Sequence, residues 1–126
     1  MTQIFLRVAA MFGALSVAAG AFGTHSLRGN LSERAMEIFE IATRYQMYHA
    51  LALLAVAILI RNSPQPNKSF VFSGWLFTVG TLLFSGSLYA LCLTNVASLG
   101  IITPLGGAAL ITAWITLAIG SVWEKG

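Results

Sequence analysis

The side chains that could bind a ligand or transfer a proton lie in two parts of this sequence. His25 follows the first apolar run, and Arg44, Tyr45, Tyr48 and His49 form a dense polar block further along. Residues three or four positions apart share a helix face, so Tyr45, Tyr48 and His49 are expected to lie side by side. We predict one polar cluster where the first two apolar runs meet the membrane interface. Its members are His25, Glu40, Arg44, Tyr45, Tyr48 and His49.

The chemistry open to this cluster is limited. Zinc sites use three or four protein ligands, and the two histidines would need Glu40 or Cys92 to complete a set. Nucleophilic catalysis needs Ser or Cys beside a base and an orienting group, and the sequence offers no such arrangement. We therefore predict no enzyme activity, no metal and no cofactor. Two roles stay open for the cluster: hydrogen bonding to loop carbonyls, or handling of a ligand or protons.

Composition identifies the environment in which these residues act. The chain has 57% hydrophobic and 9% charged residues, and its mean hydropathy is +0.81. A soluble domain carries about 25% charged residues, so this chain could not cover its own surface in water. The seven Lys and Arg residues are scattered rather than clustered, which argues against nucleic-acid binding.

Four apolar runs are candidate membrane spans, since crossing a bilayer takes about 20 predominantly apolar residues. They are separated by Gly29-Asn30, by a loop with Pro64 and Pro66, and by the Thr103-Pro104 helix start. We predict a single membrane domain, residues 1–126, of the all-α class: an integral membrane four-helix bundle. The predicted spans are residues 4–23, 45–60, 70–93 and 103–123.

An amphipathic segment, residues 32–44, leads into the second span. Ser32 is a suitable N-cap, and no Pro or Gly interrupts the chain from Leu31 to Arg61. A helix of that length would reach about 45 Å, whereas the hydrocarbon core is about 30 Å thick. The first half is therefore expected to be an interfacial helix, or to stand out of the membrane or pack over the ends of the other helices.

Small residues indicate where helices approach one another. Gly13 and Gly20 recur at helical spacing in the first span, and Gly106 and Gly107 open the fourth. In lipid, helices associate through close backbone contact, so these four glycines are predicted to lie at helix–helix contacts.

Positive charges predict the orientation. Four spans place both termini on one side, together with Arg7, Arg61, Lys68 and Lys125, and leave three arginines on the other. Because cytoplasmic loops carry the excess of Lys and Arg, both termini are predicted to lie in the cytoplasm.

Four stretches carry a resemblance to a known family: GAFGTH (20–25), RYQMYHAL (44–51), FSGSLY (84–89) and TPLGG (103–107). Together they resemble the small four-span bacterial inner-membrane proteins of unknown function that include YgdD and YwdK. The resemblance implies a multi-pass protein of the bacterial inner membrane. It brings no activity with it.

Two classes of function therefore stay open. The first is a structural or accessory membrane protein acting through lateral helix contacts, with the lipid bilayer and either a second copy or another membrane protein as partner. The second is a small transporter or channel component that uses the His49 cluster. The glutamates lie outside the predicted spans, which disfavours a carboxylate-coupled transporter.

Overall fold

The computed structural model describes residues 1–124, with side chains up to Val122. Its four long helices are α1 (Thr2–Leu27), α2 (Glu33–Asn62), α3 (Lys68–Thr94) and α4 (Ile102–Glu124). Ala19–Gly23 forms a π-helical turn within α1, and a 3₁₀ turn, Ala97–Ile101, precedes α4. All four are long and apolar enough to cross a membrane. The predicted all-α membrane bundle is therefore confirmed.

Local side chains determine where the helices begin and end. The Ser32 hydroxyl accepts a hydrogen bond from Ala35 N at 3.1 Å, and the Asn67 carboxamide accepts one from Phe70 N at 3.2 Å. Each satisfies a backbone donor that the first helical turn leaves unpaired. Asn95 ends α3 in the left-handed conformation with φ 60°, which asparagine tolerates better than most residues.

The helices pack in chain order, α1 on α2, α2 on α3 and α3 on α4. The central helices α2 and α3 are consequently more buried than the outer pair. Phe5, Leu53, Val56 and Phe77 are fully enclosed in the main core. This order places α1 and α4 at the edges, each with a wide face turned outward.

The amphipathic segment is the start of α2 and has no break from the span that follows. Ala35 and Phe39 pack with Cys92 and Tyr89 near the end of α3. The hydroxyls of Ser87 on α3 and Thr103 in the first turn of α4 are in contact. The helix α4 therefore starts beside Ser87 and does not extend to the end of α3 where Cys92 lies. The segment thus extends the bundle beyond α4 by packing on the ends of α1 and α3, one of the arrangements predicted for it.

The predicted glycine contacts are found on only one side of the molecule. A Cβ on Gly106 would overlap the backbone of Phe84, and one on Gly107 would lie 3.8 Å from the Phe84 ring. Gly13 and Gly20, in contrast, have no atom within 4 Å of the Cβ position, so their predicted packing role within the chain is wrong. The reason is the helix face: Ser16 points at α2, whereas Gly13 borders an open groove.

Four further glycines in the described part of the chain make close contacts that were not predicted. They are Gly23 against Phe39, Gly74 against Phe5, Gly80 against Leu110, and Gly120 against Phe70. Two of these pairs join α3 to α4, so that interface depends on missing side chains along most of its length.

Candidate functional site

His49 is the one predicted site residue that lies in the helical interior, with 7% of its surface exposed. Its Nδ1 lies 2.7 Å from the carbonyl oxygen of Tyr45, one turn earlier on α2. Its Nε2 accepts a hydrogen bond from the indole Nε1 of Trp114 on α4 at 3.2 Å. The ring therefore connects α2 to α4 across the bundle.

These contacts define the protonation state of the imidazole. A carbonyl only accepts and an indole N–H only donates, so Nδ1 must carry the proton and Nε2 must be bare. The ring packs against Phe77, with 5.8 Å between centroids, and edge-on against Trp114 at 6.0 Å. His49 is thus held neutral among aromatic rings, and both of its nitrogens are occupied.

The depth of His49 differs from the prediction. Trp114 lies halfway along α4, so the His49 ring lies near the middle of the bundle rather than at the interface. The predicted second span begins at Tyr45. In the structure α2 begins at Glu33. Trp114, the α4 residue that contacts His49, lies several turns after the start of α4.

The neighbours of His49 on α2 point outward. Tyr45 and Tyr48 are 39% and 50% exposed, and Arg44 is also exposed. The Tyr45 ring packs on Phe84 and Tyr48, with centroid distances of 5.0 and 5.7 Å. Tyr45 therefore covers the outer side of His49, while Arg44 and Tyr48 face the surroundings of the bundle.

His25 and Glu40 belong to a different level of the molecule. His25 is exposed in the last turn of α1. The preceding Gly23 packs on Phe39, which lies ten residues, or about 15 Å, from His49 along α2. Glu40 pairs with Arg28, the two charged groups being 3.8 Å apart. The prediction of a single cluster is therefore wrong. His49 lies in a buried site, and His25 and Glu40 lie in a separate group at the surface.

A polar layer that the sequence analysis did not assign joins three helices. Gln46 Nε2 donates to the carbonyl oxygen of Phe12 at 2.8 Å, and Tyr89 donates to Gln46 Oε1 at 2.6 Å. The hydroxyls of Ser16 and Ser85 donate to Thr43 O and Ala42 O on α2. The sequence does contain an indication of this layer, because Gln46 lies three residues before His49 and so shares its helix face.

Two further observations bear on chemistry. The hydroxyl of Thr81, 3% exposed on α3, is the buried side-chain group left without a hydrogen-bond partner in the described part of the chain. Within the same residues, no group of three or more His, Cys, Asp or Glu side chains is close enough to hold a metal. The interior therefore offers hydrogen bonds between helices and one neutral imidazole.

Comparison with known proteins shows to which family the chain is related. Residues 19–107 match the family model described as "Protein of unknown function (DUF423)". The chain belongs to the DUF423 family. The match spans the four stretches on which the resemblance was based, and that resemblance is confirmed.

Relatives in this family are similar over almost their full length. The chain is 42% identical to the UPF0382 membrane protein SERP0230 of Staphylococcus epidermidis, over 95% of this chain and 96% of that one. It is 40% identical to the UPF0382 membrane protein YwdK of Bacillus subtilis, over 95% and 97%. No solved structure matches the chain. Like these DUF423 relatives, the protein is a membrane protein of an uncharacterised family.

Proposed function

We propose that the protein is an accessory protein of the bacterial inner membrane that acts through lateral helix contacts and catalyses no reaction. The observation that carries this is the outward face of α1. Gly13 has nothing within 4 Å of its Cβ position and borders a groove of about 230 Å³ between α1 and α2. Ala10 and Leu51 line the same groove. Small residues allow a second helix to approach closely, so this face suits a second copy or another membrane protein.

The interior supports the same proposal. A proton or ion pathway requires groups that change charge or lie along a polar route. His49 is neutral and both of its nitrogens are bonded, while Glu40 pairs with Arg28 at the surface. Protonation of His49 would break its bond to Trp114, so transport through this residue would have to disrupt the α2–α4 contact.

Site-specific photo-crosslinking in native membranes tests the lateral contact. A photoreactive amino acid replaces Gly13 on the groove or Ile115 on the outer face of α4, where Ile115 is 55% exposed. We expect discrete protein adducts from position 13 and mainly lipid adducts from position 115. Equal lipid labelling at both positions would show that the α1 face meets only lipid.

The transporter alternative is tested directly by proton flux. Reconstituted wild-type protein and His49→Gln are compared in proteoliposomes under a pH gradient. We expect the same flux as empty liposomes in both cases. A flux that is present in the wild type and lost in a folded His49→Gln protein would replace the accessory proposal with transport.

The proposed orientation places both termini in the cytoplasm. It is supported by the positive charges of Arg7, Arg61 and Lys68 at the end of the bundle that holds the N-terminus and the α2–α3 loop. Cys92 is buried and can be replaced by Ala to give a cysteine-free background. In intact cells, an impermeant thiol reagent should then label Ser26→Cys and leave Gln65→Cys unlabelled. The reverse pattern would invert the orientation.

A further inference from the structure

The two ends of the bundle carry different charge. At the end where α1 finishes and α2 begins, three arginines (Arg28, Arg34 and Arg44) are balanced by three glutamates (Glu33, Glu37 and Glu40). At the opposite end lie Arg7, Arg61 and Lys68, and no described side chain there is a carboxylate. The second end, here called the basic end, therefore carries three positive charges and no negative one among its described side chains.

A large groove opens at the basic end, under the α2–α3 loop. Its volume is about 970 Å³, and Lys68 is the one charged side chain among the described residues that line it. The apolar part of the lining consists mainly of Ile60, Val71, Phe72 and Trp75. The groove thus combines a cationic rim with an apolar wall.

The α3 side of the groove belongs to an outward-facing stripe that lines the groove as far as Trp75 and continues beyond it to Val79. Lys68, Phe72, Trp75 and Val79 follow one another at steps of three and four residues and so share one helix face. Phe72 is 54% exposed, Trp75 40% and Val79 46%. Eleven residues separate Lys68 from Val79, which corresponds to about 16 Å of helix. One leaflet of the hydrocarbon core is about 15 Å deep, so the stripe runs from the headgroup level towards the bilayer centre.

The wall is held in place from inside. The Trp75 ring packs edge-on against Phe5, with 5.2 Å between ring centroids and 75° between ring planes. Phe5 is fully buried and occupies the space above Gly74. Because the wall is already fixed, binding of an acyl chain would cost the protein little conformational entropy.

We propose that this groove binds one anionic phospholipid, with the phosphate at Lys68 and an acyl chain along Phe72 and Trp75. Charge complementarity selects the occupant, since the described lining of the groove has a cationic rim, no carboxylate and an apolar wall, which the α3 stripe continues to Val79. This assignment goes beyond the proposed lateral contacts, because it involves α3 and the basic end rather than the α1 groove.

Quenching of Trp75 fluorescence by brominated lipids tests the site. The full-length protein is reconstituted in phosphatidylcholine bilayers containing a small, equal fraction of acyl-brominated phosphatidylglycerol or acyl-brominated phosphatidylcholine. The contribution of Trp75 is the difference between wild type and Trp75→Phe. A cation near the surface contributes about 1 kcal/mol towards an anionic lipid, so we expect quenching of Trp75 to favour the anionic lipid by about fivefold.

Matched variants separate the site from general charge attraction. Lys68 is exposed, so Lys68→Gln should fold normally and lose the preference, whereas Lys68→Arg should keep it. Arg44→Gln removes an exposed positive charge from the opposite end and should leave the preference unchanged. Equal quenching by both lipids in the wild type, or an undiminished preference in Lys68→Gln, would overturn the proposal.

Discussion

The α3–α4 and α1–α2 interfaces differ in how closely the two backbones approach. Along α3 and α4, the backbones come together where side chains are missing, at Gly106 and Gly80, and hydroxyls add hydrogen bonds, as from Ser73 to Ala113 O at 2.7 Å. Between α1 and α2, polar groups make the contact, with Ser16 donating to Thr43 O at 2.7 Å and Gln46 donating to Phe12 O at 2.8 Å. Lipid tails are as apolar as the helices, so helices in a membrane associate through close packing or hydrogen bonds rather than hydrophobicity. Here hydrogen bonds hold both outer helices, and close backbone contact is added at α4.

The difference has a consequence for function. In a helix held by close backbone contact, the small residues already pack against another helix of the same chain. The α1 helix is held partly by side-chain hydrogen bonds, and Gly13 and Gly20 are not used within the chain. The unused small residues of α1 support the proposal that this face contacts another protein.

The largest effect is expected at the α3–α4 interface. Gly106→Leu would place a side chain in the backbone of Phe84, and overpacking of this kind costs about 3 kcal/mol or more. We expect a large fall in the unfolding temperature in detergent, measured by circular dichroism. Gly20→Leu is the matched control and should stay within about 0.5 kcal/mol of the wild type. Equal losses in the two variants would remove the distinction between the interfaces.

A smaller loss is expected for the polar layer. Gln46→Leu leaves the Tyr89 hydroxyl and the Phe12 carbonyl without their present partner. Hydrogen bonds between membrane helices contribute about 1–2 kcal/mol in model peptides and less in folded proteins. We therefore expect a loss of about 1 kcal/mol. In a double-mutant cycle, Tyr89→Phe should cost less in the Gln46→Leu background than in the wild type. Additive losses would mean that the two side chains are not coupled.

Substitutions at His49 test the direct hydrogen bond between α2 and α4, in which α3 takes no part. His49→Gln retains a donor and an acceptor and should be tolerated, whereas His49→Leu leaves the Trp114 indole N–H unpaired, at a cost of about 1 kcal/mol. Thermal unfolding of both variants, each with and without Trp114→Phe, measures the coupling. The same loss in His49→Gln and His49→Leu would assign the role of His49 to ring packing alone.

The smallest effect is expected at Thr81 and has the opposite sign. Its buried hydroxyl has no hydrogen-bond partner, and burying such a group carries a desolvation penalty. Thr81→Val keeps the shape and removes the hydroxyl, so we expect a gain of about 0.5–1 kcal/mol. Ser85→Ala, which removes a bonded hydroxyl on the same helix, should lose stability instead. A loss in Thr81→Val would indicate that the hydroxyl has a partner in the membrane.

Sequence reasoning was reliable for features that depend on local chemistry. The helix start at Ser32 is set by its capping hydroxyl, and the break at Pro64 and Pro66 by the missing proline N–H, and both are visible in the chain. It was less reliable for the polar site. His25 and His49 looked equivalent because each lies at the edge of an apolar run, yet the end of α1 meets α2 at Phe39, about 15 Å along the helix from His49.

The sequence by itself determined that this is a membrane protein of four helices, because too few charges are present to cover a soluble surface and four apolar runs are long enough to span lipid. The tertiary structure alone decided which small residues are packed and which stay open. Gly13 and Gly106 have the same chemistry, and only the position of a neighbouring helix distinguishes them. It likewise decided that His49 is bonded on both nitrogens, since its partner Trp114 lies 65 residues away in the chain and no local pattern connects the two.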